Sequence, residues 1–61
     1  MARRPVQVRG VVLDNGDIVN EGEKGIVSVY RRPDNTAYYV DADNNEHDLE
    51  GKVLSYTGRF L

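Results

Sequence analysis

The chain has 61 residues, a net charge of −2 and a pI near 5.1. This length allows one small domain, and a domain of this size buries only about 60% of the surface that its unfolded chain exposes. The absence of cysteine excludes disulfides and thiolate ligands, the single histidine excludes a multi-histidine metal site within one chain, and the acidic balance argues against non-specific DNA binding.

Residues that favour strands are abundant along the whole chain. Val, Ile, Thr and Tyr are frequent, and no stretch of 11 residues keeps the apolar spacing of an amphipathic helix. We predict a first strand over residues 6–14, with Gly10 in a β-bulge. Asn15-Gly16 then predicts a tight type I′ turn, because both residue types adopt positive φ readily. A short strand follows at residues 18–19.

The second half of the chain continues this alternation of strands and turns. Residues 20–25 predict an exposed loop, since two glycines enclose charged residues there. Residues 26–32 predict a central strand with Val27 and Val29 on one face. The remaining predicted elements are a turn at Pro33-Asp34-Asn35, a strand over 37–41, a hairpin at Asn44-Asn45, and strands over 47–50 and 53–60.

Short strands joined by short turns are typical of an all-β fold. We expect residues 6–61 to form a single domain, a small barrel of five or six strands in sequential antiparallel hairpins, and residues 1–5 to form a flexible tail. No apolar run approaches the roughly 20 residues of a membrane span. The lack of cysteine is compatible with the cytoplasm, where we expect the protein to reside.

The segment that begins at Asp41 partly fits a calcium-binding loop. Asp41, Asp43 and Asn45 occupy the first, third and fifth positions of that motif. Glu46 stands where the motif requires glycine, and Lys52 where it requires glutamate. A hairpin is therefore the better interpretation, and we expect no bound metal.

His47 is the only candidate for acid–base catalysis near neutral pH. Three acidic residues flank it, but no cysteine is present, and no serine or threonine lies in a recognisable nucleophile motif. We therefore expect neither enzymatic activity nor a cofactor.

The aromatic and arginine side chains are the best candidates for binding. Tyr38 and Tyr39 are adjacent, so a strand must place them on opposite faces, and we expect at least one to be exposed. Tyrosine beside arginine is suited to protein interfaces, to proline-rich peptides and to stacking on bases. An equally good interpretation is that the outward tyrosines only cover a sheet face. The predicted binding residues are Tyr30, Arg31, Arg32, Tyr38, Tyr39 and Arg59.

The run from Gly16 to Val29 resembles the opening of bacterial SH3-like barrels. In those domains an entry strand and a charged loop precede a Gly-Ile-Val step, which Gly25, Ile26 and Val27 match here. KOW-type domains and small SH3-like subunits of photosynthetic complexes share this layout. The resemblance implies an SH3-like barrel, and the KOW likeness implies binding to RNA or to ribosomes.

Three hypotheses for function follow. The first is a non-enzymatic binding module or small accessory subunit that engages a protein partner through the tyrosine and arginine surface. The second is binding of RNA or single-stranded nucleic acid by a KOW-like barrel. The third is an engineered or idealised scaffold without an evolved ligand, since its turn chemistry is dense and regular. None of the three involves a membrane.

Overall fold

The computed structural model describes residues 4–58, and within this range it contains strands but no helix. Accordingly, no helix of the described chain is long and apolar enough to cross a membrane. All strand pairs are antiparallel. The strands are β1 (Val6–Val8), β2 (Gly10–Leu13), β3 (Ile18–Asn20), β4 (Ile26–Arg31), β5 (Ala37–Asp41), β6 (Glu46–Leu49) and β7 (Val53–Thr57).

The strands form two sheets instead of one closed barrel. The four-stranded sheet has the order β1-β4-β5-β6, and the three-stranded sheet has the order β3-β2-β7. The all-β prediction is confirmed, but the expected strand count of five or six is too low for the seven observed. Only part of the pairing is sequential, because β1 pairs with β4 and β2 pairs with β7.

Arg9 is where the predicted first strand divides into two. Its amide donates to the carbonyl of Thr57 at 2.8 Å, and its carbonyl accepts from the amide of Glu21 at 2.8 Å. Both partners belong to the three-stranded side of the fold, whereas Val8 still pairs with Val29 in the four-stranded sheet. The chain therefore changes sheets at a single residue, a feature that the alternation of side chains does not reveal.

The core lies between the two sheets. Its most deeply buried large side chains are Val8, Val11, Leu13 and Val29, which come from both sheets. Full burial of an aliphatic side chain stabilises a fold by about 1.5–3 kcal/mol. Burial of these four side chains therefore holds the two sheets against each other.

Three loops share one geometry, a type I turn followed by a left-handed residue. In each loop, the carbonyl of the residue before the turn accepts a hydrogen bond from the amide of the residue three positions later. The amide of that first residue donates to the carbonyl of the residue four positions later. The left-handed residues are Gly16 (φ 94°), Asn35 (φ 73°) and Asn44 (φ 68°). The type I′ prediction for Asn15-Gly16 is wrong, because of that pair only Gly16 has positive φ.

The φ pattern of a type I′ turn occurs instead at Lys24-Gly25. Both residues have positive φ, at 50° and 77°, and the amide of Ile26 donates to the carbonyl of Glu23 at 2.7 Å. The segment expected to be an irregular loop thus ends in a tight reversal. Lysine has no strong preference for this conformation, so composition did not indicate it.

Two β-bulges change which side chains face the core. The β4–β5 register shifts between Ile26 and Ser28, which leaves Val27 as the extra residue and 57% exposed, while Val29 is fully buried. The prediction that Val27 and Val29 share a face is wrong, because the bulge interrupts the two-residue period. A second shift, in the β2–β7 pairing, leaves Leu54 68% exposed.

The first hairpin loop is docked onto the turn before β7. The amide of Lys52 donates to Asp14 Oδ1 at 2.9 Å, and Asn15 Nδ2 donates to the carbonyl of Glu50 at 3.1 Å. These long-range bonds fix how the last strand enters the three-stranded sheet.

Candidate functional site

Tyr30 and Tyr38 form a stacked pair on the outer face of the four-stranded sheet. The two residues lie directly opposite each other in the β4–β5 ladder. Their ring centroids are 5.1 Å apart with an interplanar angle of 13°, an arrangement typical of favourable aromatic pairs. Tyr38 is only 9% exposed, whereas Tyr30 is half-buried. The accessible ring of the pair is therefore that of Tyr30.

Arg32 contacts the same pair from the end of β4. Its guanidinium carbon lies 4.6 Å from the Tyr38 ring centroid. Its Nη2 donates to Asp48 Oδ1 at 2.6 Å, and its Nη1 donates to Thr36 Oγ1 at 3.3 Å. The bond to Asp48 is the main reason that the pKa of Arg32 is raised above its usual value. Two polar anchors and one ring therefore hold the guanidinium.

The residues around this stack follow from strand register. Gln7 lies opposite Tyr30 and Asp48 opposite Tyr38, while Ser28, Val40 and Glu46 form the next row on the same face. We call this surface the tyrosine face; it comprises Gln7, Ser28, Tyr30, Arg32, Thr36, Tyr38, Val40, Glu46 and Asp48.

The charges around the tyrosine face are mainly negative. Arg32 is its one cation, and Glu46 and Asp48 are its acids, with Asp34 close to Arg32 in the adjoining loop. Burial raises the pKa of the Tyr38 hydroxyl, and the negative charge of Glu46 raises it further. Asp48 is paired with Arg32, but Glu46 has no hydrogen-bond or ion-pair partner within residues 4–58.

A shallow groove borders this face where Pro5 approaches the β4–β5 loop. Its volume is about 460 Å³, and its lining is formed by Pro5, Arg32, Pro33 and Asp34. Asp34 is fixed there, because its Oδ1 accepts from the Thr36 amide at 3.1 Å and from the Thr36 hydroxyl at 2.6 Å. The pKa of Asp34 is lowered chiefly by these bonds.

Tyr39 lies on the opposite face, as its adjacency to Tyr38 predicts. It packs against the core and stacks on His47, with ring centroids 4.6 Å apart. His47 Nε2 lies 2.7 Å from Asp41 Oδ2. The imidazole that we considered for catalysis is thus engaged by Asp41, which the sequence places at the end of a strand and which we considered only as a calcium ligand. No group of three or more His, Asp or Glu side chains in residues 4–58 is arranged to hold a metal ion.

Arg31 is separated from its neighbour Arg32. Its guanidinium carbon lies 5.0 Å from the ring centroid of Tyr56 in β7. Since β4 alternates, Arg31 lies opposite Ala37 on the core side while Arg32 lies on the outer side. Arg59, the sixth predicted binding residue, lies outside the described residues.

The structure therefore brings together half of the predicted binding residues, namely Tyr30, Arg32 and Tyr38. Sequence reasoning missed Asp48, Thr36 and Glu46, which complete the same surface. Glu46 and Asp48 are two residues apart in the sequence, but only the observed register of β6 against β5 places Asp48 beside Tyr38. No protein-family model, curated protein or solved structure matches this chain.

Proposed function

We propose that this chain is a non-enzymatic protein-binding module, or a small accessory subunit, that engages its partner through the tyrosine face. The observation that carries the proposal is the ordered stack of Tyr30, Tyr38 and Arg32. Tyrosine and arginine are enriched at interface hot spots. Because Asp48 and Thr36 already hold the guanidinium, a partner would meet a surface whose side chains lose little further freedom on binding.

We also propose that the fold is an SH3-like variant. One interrupted first strand contributes β1 to one sheet and β2 to the other, the strands β4-β5-β6 form a meander, and β7 returns to β2. This arrangement supports the proposal because a first strand shared between two sheets lets so short a chain enclose a core.

A protein partner is favoured over nucleic acid by the state of the arginines. Binding to a phosphate backbone requires cations that can replace its counterions. Arg32 is paired with Asp48, and Arg31 is stacked on Tyr56 away from the tyrosine face. The acids around this face outnumber its cation, which disfavours an approaching phosphate chain.

Selection of peptides from a random display library on the purified chain tests the proposed function. We expect most independently selected peptides to bind the original chain and the Tyr56→Ala variant but to lose binding to Tyr30→Ala. Tyr56 is a matched control because it is also an accessible strand tyrosine with a stacked partner, Arg31, but lies outside the tyrosine face. Selected peptides that bind Tyr30→Ala as well as the original chain would overturn the proposal, provided that circular dichroism shows both variants to be folded.

A further inference from the structure

We infer that the tyrosine face recognises a protein segment through an arginine side chain that lies against Tyr30 and pairs with Glu46. This inference rests on the proposed function and names the chemistry of the partner. It concerns a second guanidinium, in addition to the internal Arg32.

The first argument is that the face already holds one guanidinium in this manner. Arg32 lies over the Tyr38 ring at 4.6 Å while its Nη2 bonds the carboxylate of Asp48 at 2.6 Å. A planar guanidinium both stacks on aromatic rings and bonds carboxylates, which an ammonium group does less well. Tyr30, in the row of Tyr38, and Glu46, one row along on β6, offer the same two components on one face, a ring for the arginine stem and a carboxylate for its guanidinium.

The second argument is charge complementarity. Glu46 is exposed at the edge strand β6 and has no ion-pair partner within residues 4–58. It lies two residues from Asp48 on the same face of β6, opposite Val40, and its negative charge acts on the Tyr38 hydroxyl. A cation placed beside it reduces the negative excess of the surface, whereas an acidic segment increases it.

The third argument is the apolar path between the ring and the carboxylate. Val40 is half-buried between Ser28 and Glu46 in the same row. The three methylenes of an arginine stem can cover such a surface while the guanidinium reaches the carboxylate.

Titration with two short peptides, followed by amide chemical shifts, tests the inference. The probes are Ac-Gly-Arg-Gly-Arg-Gly-NH2 and the same peptide with citrulline, which keeps the shape of arginine but lacks its charge. We expect the arginine peptide to shift amides near Tyr30, Val40 and Glu46, and the citrulline peptide to bind more weakly. Glu46→Gln should weaken the arginine peptide about three- to fivefold, the size of an exposed ion pair.

Glu23→Gln is the matched control, because it removes one negative charge from the exposed loop before β4, outside the residues of the tyrosine face. It should change the affinity less than twofold. Equal binding of the two peptides, equal weakening by Glu23→Gln, or shifts confined to other surfaces would each overturn the inference. Library peptides that depend on Tyr30 but carry no excess of arginine would overturn it too, while leaving the proposed protein-binding function intact.

Discussion

Asn35 is bonded twice to Val53. Its carbonyl accepts from the Val53 amide at 2.8 Å, and its Nδ2 donates to the Val53 carbonyl at 3.0 Å. Asn35 belongs to a loop of the four-stranded sheet, whereas Val53 begins the edge strand β7 of the other sheet. One loop residue therefore satisfies both backbone groups of an edge residue and joins the sheets where no strand pairing does.

Replacement of Asn35 by glycine should destabilise the protein by about 1 kcal/mol. Glycine keeps the left-handed backbone, but the Val53 carbonyl loses its side-chain donor. Asn44 has a similar φ, and its side chain makes no hydrogen bond within residues 4–58, so Asn44→Gly should change the free energy of unfolding by less than about 0.5 kcal/mol. Urea unfolding of both variants provides the measurement. Equal losses would show that the bond to Val53 contributes nothing.

Gly51 should tolerate alanine less well than Gly16 does. Both have positive φ, at 88° and 94°, so each substitution introduces strain of about 1–2 kcal/mol. A Cβ on Gly51 would also lie 2.6 Å from Asp14 Oδ1, whereas a Cβ on Gly16 meets nothing within 4 Å. We expect Gly51→Ala to cost at least about 1 kcal/mol more, since Asp14 must give up its bond to Lys52.

Repeating both glycine substitutions in an Asp14→Ala background provides the control for this comparison. Thermal or urea unfolding should then show that the excess cost at Gly51 shrinks. An excess that persists without the carboxylate would contradict the steric explanation.

The β-bulge in β4 predicts opposite behaviour for two valines that are two positions apart. Val29→Ala removes methyl groups from a fully buried site and should cost about 2–3 kcal/mol. Val27→Ala acts on a side chain that is 57% exposed and should cost less than about 0.5 kcal/mol. Chemical denaturation distinguishes them. Similar losses of unfolding free energy at both positions would contradict the bulge and support the predicted strand, in which Val27 and Val29 share a face.

The same comparison shows what sequence reasoning could and could not reach. Alternation with a two-residue period correctly separates Tyr38 from Tyr39. The same rule separates Arg31 from Arg32, although the predicted binding set contains both. The turns at Asn35 and Asn44 were found because asparagine tolerates a left-handed backbone. In contrast, residue type does not indicate the bulge at Val27, because valine is common at regular strand positions.

Of the architecture, only the all-β class could be predicted from the sequence. Strand-forming residues and short turns indicate an all-β fold, but the division of the first strand at Arg9 depends on hydrogen bonds to Thr57 and Glu21, which are distant in sequence. The candidate site was limited in the same way. Tyr30, Tyr38 and Arg32 attract notice by residue type, whereas Asp48 becomes relevant only once β6 is aligned with β5.

Acid should weaken the fold in part through Asp41. Its hydrogen bond with His47, followed by those from the backbone amides of Asn45 and Asp43, lowers its pKa below the usual 3.8. A carboxyl with a lowered folded-state pKa contributes stability that is complete above the unfolded-state pKa and is lost as pH falls through the folded-state value. Asp41→Asn should therefore flatten the dependence of unfolding free energy on pH between about pH 5 and pH 2.

Glu23→Gln, which removes one acidic charge from an exposed loop, is the control for net charge in this titration. In that variant, the unfolding free energy should depend on pH in the acidic range as steeply as it does in the original protein. A pH profile of Asp41→Asn that matches the original protein would contradict a role for the His47 pair in acid stability.

Strand β7 has consequences for the colloidal behaviour of the protein. Its sequence, Val-Leu-Ser-Tyr-Thr, carries no charge, and Leu54 and Tyr56 are exposed along an edge that pairs only with β2 among the described strands. The edge strand β6, in contrast, carries Glu46 and Asp48. Charge on an edge strand prevents it from templating another chain. The other uncharged edge strands, β1 and β3, have only three residues each, against five in β7. At high concentration, self-association should therefore begin at β7, and Leu54→Lys should raise the solubility limit.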